Sequence, residues 1–129
     1  MKVMESGEDY LETILMIRNR QGSVRSVDVA NELGVSKSSV CTAMQNLLRG
    51  GYILMDRQRT ITLTDSGEEI AKRVYERHLV FSEWLCALGV DRETALHDAC
   101  RMEHAISAES FAALKAYLMK SGFLLPQRV

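Results

Sequence analysis

The chain contains few of the residues that interrupt helices or cross-link a fold. Its 129 residues include one proline and three cysteines, and aromatic residues make up 6%. Because proline breaks helix interiors, its near absence favours a mainly helical protein, as do the many Leu, Ala, Met, Glu and Arg residues. Three scattered cysteines do not form a disulfide scaffold, and they predict a protein of the reducing cytoplasm.

Two further absences limit the partners of the protein. No apolar run approaches the roughly 20 residues needed to span a bilayer, and the N-terminus does not resemble a targeting segment, so we expect no membrane association. The formal net charge is −1, which argues against strong non-specific binding to nucleic acid. The charges are unevenly distributed, however. Four cations and one acid lie between Ser36 and Ile61, whereas four acids and no cation lie between Met4 and Glu12.

Helix signals in the N-terminal half occur in the order of a helix-turn-helix motif. Apolar residues at helical spacing predict a first helix that begins with a capping box at Ser6 and Asp9 and runs to about Arg20. Two further helices are predicted, capped by Ser26 and Ser36 and separated by a glycine-containing turn. A strand-like run at 52–55, a polar turn and an alternating β-branched run at 60–64 follow. This hairpin directly after the motif predicts a winged helix.

The C-terminal half is predicted to be helical. One long helix runs to about Leu88, and two more are capped by Asp91 and Ser107. Large apolar residues that remain after one core is filled predict a dimer interface. These residues are Phe81, Trp84, Phe111, Tyr117 and Phe123.

The solvent side of the third helix carries short hydrogen-bonding side chains near its N-terminus. In a helix-turn-helix motif, residues there reach base edges in the major groove, and the helix dipole favours a nearby phosphate. Cations at the hairpin tip suit the DNA backbone or the minor groove. The candidate DNA contacts are Ser36, Lys37, Ser38, Ser39, Thr42, Gln45, Arg57 and Arg59. Each single serine has an alternative role as a helix cap or a solvated side chain.

A second pattern is typical of a divalent-metal site. Four metal-binding side chains are predicted to project from one stripe of one helix. They are His97, Cys100, Glu103 and His104. Three further candidates lie on other helices, and they are Asp9, Glu12 and His78. The alternatives are histidines of the surface or core, a cysteine that acts as a small hydrophobic residue, Asp9 as part of the helix cap and Glu12 as an exposed charge.

These motifs, in this order, resemble the metal-dependent repressors of the DtxR/MntR family. The similarity covers about Glu8 to Leu118. It rests on Glu8-Asp9-Tyr10-Leu11-Glu12, the winged helix, Arg77-His78 and Cys100-Arg101-Met102-Glu103-His104. The resemblance implies a homodimeric repressor that binds a palindromic double-stranded DNA operator when loaded with Mn²⁺ or Fe²⁺ and controls metal uptake. By position it implies ligands of the manganese-sensing type at Asp9, Glu12, His78, Glu103 and His104.

The ligand set implied by the resemblance is a hybrid of two branches. The manganese-sensing branch usually has Glu where this chain has Cys100, and the cysteine matches the iron-sensing branch. His97 matches a ligand of the ancillary site of that branch, but Ser82 stands where the ancillary site has a carboxylate. In length the chain is similar to the short manganese type, without the C-terminal SH3-like domain of the longer iron repressors.

We therefore predict a mainly α protein with two domains. Residues 1–66 form a winged helix-turn-helix DNA-binding domain, and residues 67–129 form a helical metal-binding and dimerisation domain. The predicted cofactor is Mn²⁺ or Fe²⁺, with Co²⁺ or Zn²⁺ as substitutes in vitro, since carboxylates favour hard ions and a thiolate favours softer ones. The predicted partners are the operator and a second copy, with no small-molecule substrate.

Three other functions compete with this interpretation. One is a winged-helix regulator that is not controlled by metal. Another is a protein in which the metal ion only stabilises the fold. The third is a metalloenzyme, which we do not expect because the sequence has no HExxH motif, no glycine-rich phosphate loop and no nucleophile elbow.

Overall fold

The computed structural model of the chain describes residues 5–122, and it confirms the predicted fold class of a mainly helical protein with a small hairpin. The elements in chain order are α1 (Glu5–Gln21), α2 (Ser26–Leu33), α3 (Lys37–Arg49), β1 (Ile53–Met55), β2 (Ile61–Leu63), α4 (Asp65–Ala87), α5 (Arg92–Ala105) and α6 (Ala108–Lys120). Residue contacts divide the chain into two units, 1–73 and 74–129, at a point inside α4.

Three helices and the hairpin form the first unit. Helix α1 packs against α2, α3 and β2, and α2 packs against α3. The buried side of α3 consists of Val40, Met44 and Leu47, whose spacing places them on one face of the helix. Two other leucines of these helices, Leu33 and Leu48, are 36% and 38% exposed.

The hairpin is attached to the rest of the first unit by backbone hydrogen bonds. Strands β1 and β2 are antiparallel, with Leu54 opposite Thr62. The Ile61 N–H donates to the carbonyl of Val24 at 2.7 Å, and an isolated bridge joins Arg25 to Thr60. The wing therefore has a fixed position beside the start of α2.

The beginning of α4 depends on a glycine. A Cβ atom at Gly67 would lie 1.9 Å from the carbonyl oxygen of Tyr52, which is closer than any side chain can approach. Glycine is therefore required at this position, because the backbone of α4 lies directly against the residue that precedes β1.

The predicted helix caps are mostly confirmed. The Ser36 and Ser107 hydroxyls accept hydrogen bonds from the N–H groups of the third residue along, and the Asp91 carboxylate caps α5. The expected cap at Ser26 is wrong, because Arg25 is the N-cap of α2 and its N–H donates to the Asp28 carboxylate at 2.9 Å.

The expected capping box at the start of α1 is also wrong. The helix already includes Glu5, so Ser6 lies within it and cannot be its N-cap. Asp9 consequently has no part in a cap at Ser6.

The second unit has its own apolar core, which joins the later part of α4 to α5 and α6. Val80, Phe81, Ala99, Phe111 and Leu118 form the buried cluster. The rings of Phe81 and Phe111 meet edge to face, with centroids 5.6 Å apart and planes at 73°. Such aromatic pairs stabilise a core by more than their buried area alone.

This core corrects part of the predicted dimer interface. Phe81 and Phe111 are only 1% and 6% exposed, and Trp84 packs against the same cluster, whereas Tyr117 is 68% exposed. Phe123 lies outside the described residues. Within residues 5–122, no helix is both long and apolar enough to cross a membrane.

A cluster of ion pairs joins α1 to the first turns of α4 within the first unit. The Arg18 guanidinium donates to both Glu68 carboxylate oxygens at 2.7 and 3.3 Å, and the Lys72 ammonium lies 3.0 Å from the same carboxylate. The hydrogen bond from Arg18, and then that from Lys72, lower the pKa of Glu68 from its ordinary value of 4.5 to about 2.

This pKa shift predicts an acid-sensitive contribution to stability. Because the pKa is lower in the folded protein, the ion pairs stabilise it fully above about pH 5, and this contribution is lost as the pH falls towards 2. The Glu68 side chain is 31% exposed, so solvent screening limits the loss expected for Glu68→Gln at pH 7 to about 1 kcal/mol. Urea unfolding from pH 7 to pH 2 measures it, with the exposed neighbour Glu69→Gln as control. A difference that persists unchanged at pH 2 would contradict the assignment.

Candidate functional site

A fully buried carboxylate, that of Glu103 on α5, is in contact with two histidines in the second unit. Glu103 Oε2 lies 3.1 Å from Nδ1 of His78 on α4, and Glu103 Oε1 lies 3.4 Å from Nε2 of His104. Glu103 is 0% exposed, and the His104 side chain is 3% exposed. Burying a carboxylate is costly unless its oxygens have polar partners, and here one imidazole lies near each oxygen.

Cys100 lies one turn before these residues on α5. Ligand atoms of Cys100, Glu103 and His104 all lie within 4.8 Å of one another. Bonds of a transition metal to sulfur, oxygen and nitrogen are about 2.0–2.3 Å long, so atoms at this separation are close enough to share one ion. A thiol, a carboxylate and an imidazole also form a donor set that suits divalent transition metals. The residues present therefore fit such a cofactor.

The two acidic candidates of the first unit both lie on α1. Glu12 is 6% exposed, and Asp9 is half-buried. The alternative that Glu12 is an exposed surface charge is therefore wrong, and the capping role of Asp9 fails with the expected cap at Ser6. The backbone carbonyl of Asp9 accepts a hydrogen bond from the Thr13 hydroxyl at 2.8 Å.

The remaining metal candidate is separate from this group. The His97 side chain is 71% exposed, with its Nδ1 3.7 Å from the Asp98 carboxylate. Among the described residues of the second unit, it lies outside the Cys100, Glu103 and His104 cluster. Ser82, one turn after His78, donates its hydroxyl to the His78 carbonyl at 2.7 Å.

The predicted DNA contacts on α3 all lie at the surface. Each residue of this group is exposed: Ser36, Lys37, Ser38, Ser39, Thr42 and Gln45. Some of their hydroxyls are engaged locally, because the Ser36 hydroxyl donates to that of Ser39 at 2.9 Å and the Thr42 hydroxyl donates to the Ser38 carbonyl at 3.1 Å. The serines therefore help to build the helix start as well as the surface.

The wing tip is held by the side chain of an aspartate. Asp56 Oδ1 accepts hydrogen bonds from the N–H groups of Gln58 and Thr60, both at 2.9 Å. Arg59 has φ 65°, in the left-handed region that favours glycine. Arg57 and Arg59 are both exposed there.

A groove with a mainly apolar surface lies between the start of α2, α3 and the wing within the first unit. It has a volume of about 270 Å³, and cations from all three elements line it: Arg25, Lys37 and Arg59. Sequence reasoning did not single out Arg25, because its role depends on the bridge from Arg25 to Thr60, which is not a local pattern. No local sequence signal identifies it, because arginine is not a typical N-cap residue.

Two family models together match almost the whole chain. Residues 2–61 match the N-terminal DNA-binding domain of the iron-dependent repressors, and residues 64–122 match their metal-binding and dimerisation domain. The transcriptional regulator MntR of Escherichia coli O6:H1 is 37% identical over 115 residues, which are 89% of this chain and 74% of that protein. The chain belongs to the iron-dependent repressor family.

Two further similarities agree with this membership. An uncharacterized HTH-type transcriptional regulator of Methanocaldococcus jannaschii is 36% identical over 90% of this chain and 94% of that protein. A solved manganese-dependent transcriptional repressor in complex with manganese matches with a TM-score of 0.78 and 31% identity, over 95% of this chain and 54% of that one. The chain thus spans about half the length of that solved structure.

Family membership confirms several predictions from the sequence. The resemblance to the DtxR/MntR repressors is confirmed, and the protein is a metal-dependent transcriptional regulator rather than an enzyme. The predicted class of cofactor, a divalent metal of the Mn²⁺ or Fe²⁺ type, is likewise confirmed.

The cap of α3 yields a test that separates the structural from the recognition serines. The Ser36 hydroxyl accepts from the Ser39 N–H at 3.1 Å, so we expect Ser36→Ala to reduce the free energy of unfolding by about 1 kcal/mol. The neighbouring Ser38→Ala is the control and should change stability by less than about 0.5 kcal/mol. Chemical denaturation measures both variants. Equal losses of stability in the two would show that the Ser36 hydroxyl does not stabilise the start of α3.

Proposed function

We propose that the protein is a homodimeric repressor that binds a palindromic operator when it holds Mn²⁺ or Fe²⁺. The observation that carries this proposal is the grouping of Cys100, Glu103 and His104, with His78 at the second carboxylate oxygen of Glu103. Exposed polar residues on α3 and cations on the wing provide the complementary DNA-binding surface. The proposed place of action is the cytoplasm, with no small-molecule substrate.

The proposed ligand set combines residues from both units. It consists of Asp9, Glu12, His78, Cys100, Glu103 and His104. A divalent ion bound by them would supply the positive charge that compensates three carboxylates. Their oxygens favour Mn²⁺ or Fe²⁺, whereas the thiolate of Cys100 favours Fe²⁺, Co²⁺ or Zn²⁺. His97 stays a prediction, as a ligand of a separate ancillary site.

The division of ligands between the two units provides a route from metal binding to DNA binding. Asp9 and Glu12 belong to the unit that carries α3 and the wing, and the other ligands belong to the second unit. The acidic side chains repel one another unless a cation compensates them, so ion binding favours the arrangements in which all of them meet. Such a shift in population tightens DNA binding, and by linkage DNA tightens metal binding by the same factor.

The proposed DNA contacts divide by chemistry. Lys37, Arg57 and Arg59 suit phosphates, and Arg25 joins them because it lines the same groove as Lys37 and Arg59. The polar side chains on the exposed side of α3 suit base edges, and they are Ser36, Ser38, Ser39, Thr42 and Gln45.

The proposed second copy has a surface to cover in the second unit. Leu88, Tyr117 and Met119 are large apolar residues that are 64%, 68% and 59% exposed, and we propose them as part of the surface that the second copy covers. A symmetric dimer also meets the requirement of a palindromic operator, in which two recognition helices enter successive major grooves about 34 Å apart.

The central carboxylate provides the test of metal control. In Glu103→Gln and His104→Ala we expect operator binding to lose its response to Mn²⁺, with a fall in metal affinity of at least about 100-fold, because even outer-shell partners contribute roughly 10–100-fold. Gel shifts with an operator selected from a random duplex library measure the response. The exposed Asp98→Asn is the matched control on the same helix.

The same gel shifts decide between the proposed metal-controlled repressor and a regulator that is not controlled by metal. A regulator that is not controlled by metal would bind the selected operator equally well with and without Mn²⁺, Fe²⁺, Co²⁺ or Zn²⁺ under reducing conditions. A full metal response in both variants would refute the proposed ligand set.

The left-handed conformation of Arg59 allows recognition to be separated from folding. In Arg59→Gly, the relief of about 1–2 kcal/mol of backbone strain is offset by about 1 kcal/mol of unfolded-state entropy, so stability should change by no more than about 1 kcal/mol. Operator affinity should fall, and the slope of log K against log salt should decrease by about 1.

Fluorescence anisotropy at several salt concentrations measures this slope. The control is Arg20→Ala, which removes an exposed cation paired with Glu32 on another part of the first unit. An unchanged slope in Arg59→Gly would exclude Arg59 from the phosphate contacts.

A further inference from the structure

Arg77 is a buried cation in the second unit that has no assigned role. Its residue is only 7% exposed. One terminal nitrogen, Nη1, donates to the carbonyl of Glu103 at 3.1 Å and to that of Ile106 at 2.7 Å. Its guanidinium carbon also lies 5.4 Å from the centre of the Phe111 ring. One side chain of α4 thus contacts the end of α5 and the core face of α6.

These contacts are well matched to the chemistry of a guanidinium. The last carbonyls of a helix have no partner within the helix, and the helix dipole makes that end negative. Ile106 is the C-cap of α5, so its carbonyl and that of Glu103 lie in this last turn. The aromatic face of Phe111 adds a cation–π contact, which is stronger when water is excluded.

The carbonyl that Arg77 binds belongs to the residue whose carboxylate faces both histidines. A hydrogen bond to the Glu103 backbone limits translation and rotation of the turn that carries Glu103 and His104. His78 follows Arg77 directly on α4, so the same short segment supplies an imidazole to the Glu103 carboxylate and a cation to the Glu103 carbonyl.

We propose that Arg77 is a positioning residue that holds the last turn of α5 in the geometry needed to bind a divalent metal. This inference rests on the proposed function, because it assigns Arg77 to the support of the same ligands. Its role is to reduce the conformational freedom that the ligands lose when they bind an ion. Outer-shell groups that orient ligands typically contribute about 10–100-fold to metal affinity.

A neighbouring ion pair provides a matched control for the charge and packing of Arg77. Lys115 of α6 lies 2.9 Å from the Glu76 carboxylate of α4, and both side chains are more than 30% exposed. Lys115→Met therefore removes another cation between α4 and α6 without touching the end of α5. Leu114→Ala, at a residue packed against the core cluster, destabilises the same unit without removing a polar contact.

In the test, the full chain is titrated with Co²⁺ under reducing conditions while its absorption spectrum is recorded. Calorimetry measures its affinity for Mn²⁺. We expect Arg77→Met to lower the affinity for both ions by about 10–100-fold and to change the Co²⁺ ligand-field bands, because the ligands are less well oriented. Leu114→Ala and Lys115→Met should leave the affinity and the bands close to those of the unmodified chain.

The outcomes distinguish this inference from the proposed function. If the unmodified chain binds neither ion, or if Cys100→Ser leaves the Co²⁺ spectrum unchanged, the proposed ligand set is wrong. The inference about Arg77 is then wrong as well. If the unmodified chain binds and Arg77→Met binds equally well, only the role of Arg77 is overturned. A loss of the same size in Leu114→Ala would also overturn it, because general destabilisation would then explain the effect.

Arg77→Lys keeps the test decisive if Arg77→Met does not fold. Lysine retains the charge but lacks the planar guanidinium that stacks on an aromatic ring while donating to carbonyls. We expect a smaller loss of affinity in the same direction, together with faster amide hydrogen exchange in the last turn of α5. Unchanged affinity and exchange would contradict the proposal.

Discussion

The burial of the Glu103 carboxylate is the constraint on which the second unit is built. An ionised carboxylate out of water is costly unless it is paired or hydrogen-bonded. Both oxygens of Glu103 face imidazoles, and its backbone carbonyl faces a guanidinium. Each partner is on α4 or on α5 itself, so the polar contacts determine which turn of α5 lies opposite which turn of α4. An apolar residue at position 103 would leave this register to packing alone.

Small residues make this arrangement sterically feasible. Ala95 and Ala99 are buried on the same face of α5 as Glu103, at intervals of four residues. Ala99 belongs to the cluster that contains Phe81 and Phe111, so the aromatic rings occupy the space that a larger side chain would need. The apolar part of this face thus packs the helices together, and the polar part, one turn further on, carries Glu103, which lies at the centre of the proposed metal site.

The features that local patterns encode could be predicted from the sequence, and those that depend on distant contacts could not. Ser36, Asp91 and Ser107 were identified as caps because a cap involves only the next three residues. The cap at Ser26 was misplaced, since the Asp28 carboxylate binds the N–H of Arg25 instead. Spacing on α5 correctly grouped Cys100 with Glu103 and His104.

Spacing alone could not show which members of a stripe are buried. His97 belongs to the same predicted stripe yet is 71% exposed, because the face of α5 that meets the core is centred on Ala99 and Glu103. The same limit explains the errors in the expected dimer interface. Phe81 and Phe111 were counted as surplus because the sequence does not reveal that residues 74–122 have a core of their own.

That separate core also bears on how a metal could act as a signal. Where a small domain has few apolar contacts, metal ligands supply its folding energy, and metal removal unfolds it. Here the edge-to-face pair and its apolar neighbours stabilise the second unit through contacts that involve no ligand. An ion at Glu103 would therefore exchange carboxylate–imidazole contacts for ligand bonds within a unit that is already packed. Its binding energy would not be needed to fold this unit, and that is the property that distinguishes a regulatory ion from a structural one.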